Sequence, residues 1–450
     1  MATPSAHAAV ATPTLREATA VWWRIGWLGF GGPAGQIALM HRELVEQRRW
    51  IGETRFLHAL NYCMVLPGPE AQQLATYVGW LMHGARGGLV AGTLFVLPGI
   101  AVIGVLAALY VVFGALPAAQ ALFYGLKAAV LAVVVHAVVR VGRRALRGSM
   151  HVAMAAAAFI ALQVFAVPFP LVIVAAGVVG LLAHRVHPRP VALDDDDGDG
   201  PAAIDAITPS STPAPLRTLA TAGIVALGWI APVAIAWSVL GRGHVLTQQG
   251  LLFGQAAVVT FGGAYAVLAY IAQRAVEDFG WLSPGEMVDG LALAETTPGP
   301  LVLVLQFVGF IAAYRNPGML DPWLAAVLGA LLTSWMTFVP SLFFVFVGAP
   351  YVERLRRNAW LQAALSAITA AVVGVILSLS AWFALHTLFA RTQRIEHGPV
   401  QADWPAWSSL DPFALALCVV AFLMLHRRWP LLRVLALCAV AGLLGTFAIP

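Results

Sequence analysis

The chain has 450 residues, 60% of them hydrophobic and only 10% charged, with a formal net charge of +5. That balance excludes an ordinary water-soluble core, in which about 25% of residues are charged. The Arg residues lie in short loops rather than on one basic face, which argues against a nucleic-acid surface and for membrane topology signals.

In chain order, Met1 to Thr14 is small and polar without a basic n-region, so no cleaved signal peptide is expected. From residue 15 an apolar segment carrying Arg24 runs into Phe30-Gly31-Gly32-Pro33, where the helix can break. His41 then leads into a loop with Arg42, Arg48, Arg49 and Arg55. Next comes Pro67-Gly68-Pro69, two residues without an N–H group around a glycine that resists ordering, so a break between half-helices is expected. Pro69 can occupy the first position of the following helix, leaving the N–H groups of Glu70 to Gln72 free. Helix N-termini of this kind bind anions. The competing reading is a packing kink, which membrane helices tolerate when neighbours supply the missing partners.

Residues 89–113 contain no charge and exceed the roughly 20 residues that a spanning helix needs. The apolar helix from Gln120 to Val139 then holds Lys127, the single lysine of the chain. Because Ala128 follows it, no GxxxxGK[ST] loop exists, which excludes ATP-driven transport through a P-loop of this chain. An intramembrane charge is expected to be functional, here balancing an anion, with a structural ion pair as the alternative. After Arg140, Arg143, Arg144 and Arg147, the uncharged run 149–184 is interrupted by Pro168-Phe169-Pro170, which can divide it into two short helices.

Residues 191–215 are rich in Asp, Pro, Ser and Thr, including Asp194 to Asp197, and read as a flexible linker. A connecting helix at 216–242 follows, and then the chain repeats itself. Phe261-Gly262-Gly263, Trp281 and Pro298-Gly299-Pro300 match Phe30-Gly31-Gly32, Trp50 and Pro67-Gly68-Pro69 at one offset of 231, with 11 identities in 40 ungapped residues. The copies occupy 15–190 and 243–450. Their loops carry opposite charge bias: Arg42, Arg48, Arg49 and Arg55 correspond to a loop with Arg274, Glu277, Asp278, Glu286 and Asp289, whereas the uncharged turn 114–118 corresponds to one with Arg354, Arg356 and Arg357. By the positive-inside rule the copies are inverted.

The expected fold is therefore all-α, a polytopic transmembrane bundle of two inverted repeats with helices broken at the Pro-Gly-Pro motifs. Inversion would bring both breaks to mid-membrane, where half-helix dipoles can hold one compact anion. The expected substrate-binding residues are Gly31, Gly32, Pro67, Gly68, Pro69, Gln72, Lys127, Gly262, Gly263, Pro298, Gly299, Pro300 and Gln306. Glu70 suits a helix N-terminus yet repels a dianion there, so Glu70, Glu295 and His41 are the proton-coupling candidates. Cys63, Cys418 and Cys438 lie far apart in apolar sequence and read as inert buried thiols. No metal, cofactor or enzymatic nucleophile-base pair is expected.

The blocks FGGPAGQIALM at 30–40, LPGPEAQQLATYVGW at 66–80, GGLVAGTLFVLPG at 87–99, FGG at 261–263 and ETTPGPLVLVLQFVGF at 295–310 resemble the chromate ion transporter family in its long form with two fused domains. The resemblance covers nearly the whole chain except the acidic linker. It implies a multi-pass protein of the bacterial inner membrane that exports chromate, driven by the proton gradient or membrane potential. Sulfate or another oxyanion, or an anion channel, are the alternatives. Assembly as a homo-oligomer is left open.

Overall fold

A computed structural model describes residues 13–186, 215–261, 263–351, 358–398 and 400–448. Most of the N-terminal tail, the acidic linker apart from Pro215, Gly262 and the loop with Arg354, Arg356 and Arg357 lie outside the described residues.

The first repeat begins with α1 (Leu15–Leu28) and α2 (Gly32–His41), a π-helical turn at Arg42–Gln47, and α3 (Glu53–Cys63). These helices hold 14, 10 and 11 residues, too few to cross a bilayer alone. They fold back instead. Arg24 before the Phe-Gly-Gly break lies 3.7 Å from Glu43 beyond it, and Tyr62 before Pro-Gly-Pro sets its ring, tilted by 53°, 5.1 Å from that of Tyr77 beyond it. Each break is thus the tip of a re-entrant hairpin rather than a kink in a spanning rod.

The next helix, α4 (Glu70–Phe113), folds back on itself at His83 and Gly84, whose φ/ψ are not helical. Gly79 lies against Gly87 and Ala91, and Gly92 against Thr76. In a straight helix positions 76 and 92 would be about 24 Å apart. The short arm, residues 70–82, closes the second hairpin, and the long arm, residues 85–113, spans. α5 (Pro117–Ala145) spans back, and α6 (Ser149–Gln163) and α7 (Phe169–Val186) form the divided pair that Pro168 and Pro170 foretell.

After the connecting α8 (Pro215–Leu240), the second repeat follows the same plan: α9 (Val245–Val259), α10 (Ala264–Ala272), α11 (Pro284–Thr296), a 3₁₀ turn at Leu301–Leu303, α12 (Val304–Arg315), α13 (Pro322–Gly348) and α14 (Ala359–Leu388). Even the π-helical turn recurs, at Gln273–Asp278, 231 residues after its counterpart. Gly290 packs on Phe307 across the second Pro-Gly-Pro tip, and Gly309 packs on Thr333 and Gly329 as Gly79 does on Gly87. A β-hairpin, β1 (Thr392–His397) antiparallel to β2 (Val400–Pro405), precedes α15 (Pro412–His426) and α16 (Leu431–Ala448).

The inversion can be read from the long arm of α4. It starts where His83 approaches the carbonyl of Pro13, at the base of the first repeat's hairpins, and ends where Tyr110 reaches Asp289, at the base of the second repeat's. The two bases therefore lie at opposite ends of a helix about 43 Å long. Among the described residues six helices are long and apolar enough to cross a membrane. α8 supplies the odd crossing that inversion requires, and its Ile224, Leu227 and Val239 are at least 70% exposed, as lipid-facing residues would be. The packed interior holds Trp22, Phe56, Phe95, Phe253, Phe307 and Phe383, all fully buried.

The Pro-Gly-Pro tips leave no room for side chains at their glycines. Gly68 and Gly299 have φ of 125° and 96°, and an added Cβ would fall 2.6 Å from Ser341 Oγ and 2.8 Å from Leu303 Cδ1. Gly68→Ala and Gly299→Ala are each expected to cost about 1–3 kcal/mol, the scale of local backbone strain. Gly223→Ala, on the open face of α8, should be neutral or mildly stabilising. Apparent Tm in detergent checks all three.

Candidate functional site

The four tips meet in two crossings, each made from one tip of each repeat. Gly68 N–H donates to Thr260 O at 2.9 Å, and Gly299 N–H donates to Gly29 O at 3.0 Å. Residues 29 and 260 are the same repeat position, as are 68 and 299, so the two repeats exchange one hydrogen bond reciprocally. Each Pro-Gly-Pro tip thereby sits on the opposite repeat's Phe-Gly-Gly tip. The helices that start at these tips, α2, α4, α10 and the 3₁₀ turn leading into α12, have no side-chain N-cap. Their free N–H groups and dipoles are available to an anion.

In the first crossing, buried Gln36 donates from Nε2 to Gly29 O at 3.1 Å and Gly299 O at 2.5 Å. One side chain thus fastens both tips. Gly99 packs on Pro298 and Leu303, and the space beside Gly31 and Gly32 is open. Gln36 was not singled out from the sequence; an amide one turn past the glycine pair in an otherwise apolar helix was the signal.

The second crossing is more polar. Gln73 Nε2 donates to Pro67 O at 2.7 Å, Gln72 Nε2 to Phe338 O at 3.3 Å, and Ser341 Oγ stands beside Gly68. Glu70 directs its carboxylate toward Gly263 of the other tip, 3.9 Å from where a Cβ would stand. Gln72 Oε1, Gln73 Oε1 and Ser341 Oγ are buried without a protein partner. Orphaned polar atoms inside a membrane protein are costly unless water or a ligand satisfies them, and three of them beside one tip mark a hydrophilic place.

The other predicted residues separate. Gln306 is fully engaged, donating to Ile100 O at 2.8 Å and accepting from Ser334 at 3.0 Å, so it joins α12 to the long arm of α4. Lys127 forms an ion pair of 3.3 Å with Asp289 of α11, whose other oxygen accepts from Tyr110 at 2.9 Å. This partner was hidden in the sequence because it belongs to the other repeat. Beside it, Arg315 grips Glu286 with two hydrogen bonds of 2.9 and 2.5 Å. Glu295 is buried and accepts from Tyr265 at 2.7 Å. His41 lies at the hairpin base between Glu46 at 3.1 Å and Glu53 at 2.5 Å, at the far end of α2 from its tip. Buried Glu43 is shared by Arg24 and Arg48, another pairing that the sequence reading missed.

The family model for the chromate transporter matches residues 16–181 and again 247–443. A chromate transport protein of Pseudomonas aeruginosa is 33% identical over 358 residues, 78% of this chain and 77% of that protein. A chromate transport protein of Cupriavidus metallidurans is 29% identical over 370 residues, 81% of each. An uncharacterized transporter of Methanocaldococcus jannaschii is 23% identical over 423 residues, 94% of this chain and 92% of that protein. No solved structure matches. The chain belongs to the chromate transporter family, and the two matched segments fall on its two repeats.

Replacing Gln36 with Leu removes both side-chain bonds of the first crossing and leaves part of two buried carbonyls unsatisfied. The expected cost is about 1–3 kcal/mol. It should appear as a lowered apparent Tm in detergent together with faster amide exchange at Gly299, while exchange at Gly68 stays unchanged.

Proposed function

We propose that this member of the chromate transporter family exports chromate from the cytoplasm as a secondary transporter of the bacterial inner membrane. The observation that carries the proposal is the pair of crossings at which uncapped half-helix N-termini of opposite repeats meet. A small oxyanion in such a place is held by backbone N–H groups and dipoles without a dedicated cage of cations. Sequence-matched relatives that are named chromate transport proteins supply the cargo.

Alternating access follows from the same geometry. Each crossing joins a hairpin open to one side with a hairpin open to the other, so rocking one repeat against its partner would expose the tips to each side in turn. The base of the first repeat's hairpins carries Arg42, Arg48, Arg49 and Arg55, which orients it toward the cytoplasm. The substrate-facing groups in this reading are the tip residues Gly31, Gly32, Pro67 to Gln72, Gly262, Gly263 and Pro298 to Pro300, with Lys127 as a positive charge toward the base of the second repeat's hairpins. Energy comes from the membrane potential or the proton gradient. The potential alone gives a departing dianion about 4.6 kcal/mol per 100 mV. Glu70 is a proton-coupling carboxylate in this mechanism, because its side chain is directed at a tip.

Saturable, potential-dependent chromate uptake is expected in inverted membrane vesicles that contain the protein, with sulfate as a competitor. Absence of saturable oxyanion uptake overturns the proposal. Sulfate uptake without chromate uptake reassigns the cargo, and single-channel currents faster than a carrier allows reassign the class.

A further inference from the structure

Among the described residues, the ion pair between Lys127 and Asp289 is the one place where a spanning helix of the first repeat meets a hairpin helix of the second through opposite charges. Asp289 is 5% exposed. Its Oδ2 accepts from the Tyr110 hydroxyl, whereas its Oδ1 has no hydrogen-bond partner and lies 3.3 Å from the Lys127 ammonium. Lys127 retains 26% exposure of its side chain and approaches the backbone at Gly285. The ammonium is therefore tied by one contact and open on another side.

We propose that Asp289 is the positioning residue for Lys127: its carboxylate and the transported oxyanion compete for the same ammonium, so that a proton on Asp289 Oδ1 accompanies each anion onto the protein. This rests on the reading that the chain carries a small oxyanion. In the empty protein the charges of Lys127 and Asp289 cancel each other. When a dianion takes the ammonium, an ionised Asp289 would leave the site with a net charge of −2. Taking up one proton from water lowers this to −1. The bond formed is O–H at Oδ1, the interaction broken is the ion pair, and Tyr110 goes on donating to Oδ2.

The surroundings favour this exchange over a fixed brace. From the long arm of α4 the group facing Asp289 is Tyr110, a donor that serves the acid in either state. From α5 it is Lys127. On α11 itself the nearest charge is Glu286, and that is occupied by Arg315 of α12 through two hydrogen bonds, so Arg315 is not free to replace Lys127. α14, which also packs on α11, contains no Asp, Glu, Lys or Arg. His386 in the last turn is the titratable group of α14, and among the described residues Lys127 is the one cation in ion-pair contact with Asp289.

The test is chromate uptake into inverted vesicles by the full chain and by Asp289→Asn, with KM measured across roughly pH 6–8, where loss of one linked proton changes KM by about tenfold per pH unit. The protonation of chromate itself is common to both proteins and cancels in the ratio. The wild-type KM should rise relative to that of Asp289→Asn as pH rises, because the amide mimics the neutral acid and leaves Lys127 free throughout. Should Asp289→Asn fail to accumulate, the neutral pair Lys127→Met with Asp289→Asn gives the same readout: a raised KM that has lost one proton of pH dependence. A KM ratio that stays constant with pH, or a double variant with wild-type KM and pH profile, overturns the inference alone. Absence of saturable uptake by the wild type overturns the transport reading and this inference with it.

Discussion

Two backbone hydrogen bonds, Gly68 to Thr260 and Gly299 to Gly29, hold the middle of this protein together. Within a bilayer every peptide group needs a partner, and a hairpin tip that stops halfway has none of its own. Each tip finds its partner in the other repeat. Each repeat therefore satisfies its tips through a second copy of itself, which the duplication supplies within one chain. The same reciprocity explains why glycines stand at both positions: the approach is so close that Ser341 and Leu303 already occupy the space of a side chain.

Everything around the crossings serves to bring the tips that close. The arms that return from the Pro-Gly-Pro tips lie flat on the spanning helices because Gly79 meets Gly87 in one repeat and Gly309 meets Gly329 in the other. Small residues at a crossing let membrane helices approach to backbone contact, where packing does the work that water does in a soluble core. In-helix prolines sit at the same level. Gly99 and Ser341, which follow Pro98 and Pro340, are the residues on which the opposite repeat's tip rests. α8 contributes little packing of its own, yet without its crossing the second repeat could not enter from the other side.

Much of this was legible in the sequence because it is written in residues with unusual backbones or in charges. The breaks at Phe-Gly-Gly and Pro-Gly-Pro, the division of 149–184, the common offset and the opposite loop charges all depend on local chemistry. Whether a broken helix continues across the membrane or turns back was not legible, since both leave the same apolar run and differ only in tertiary contacts such as Tyr62 with Tyr77. The pairing of tips between repeats was hidden for a related reason: backbone hydrogen bonds carry no residue signature. Lys127 announced itself as a charge in an apolar helix, whereas Asp289 looked like one of several acidic loop residues of the second copy. Only the fold shows that it lies beside Lys127.

The two crossings share a backbone plan but not a chemistry, and this difference is what duplication makes available. Around the first, one amide, Gln36, satisfies two carbonyls, and Leu303 closes the remaining side. Around the second stand Glu70, Gln72, Gln73 and Ser341, with three polar atoms still unpartnered. The positions equivalent to Glu70, Gln72 and Gln73 in the second copy are Leu301, Leu303 and Val304. The first crossing is the more tightly fastened, with Gln36 Oε1 as its one unpartnered side-chain atom among the described residues, and opening it strands the two buried carbonyls that Gln36 holds. An under-satisfied one loses little on opening and gains when an ion or water enters. Fixed backbone symmetry with divergent side chains thus lets one crossing hold the repeats together while the other exchanges its contents.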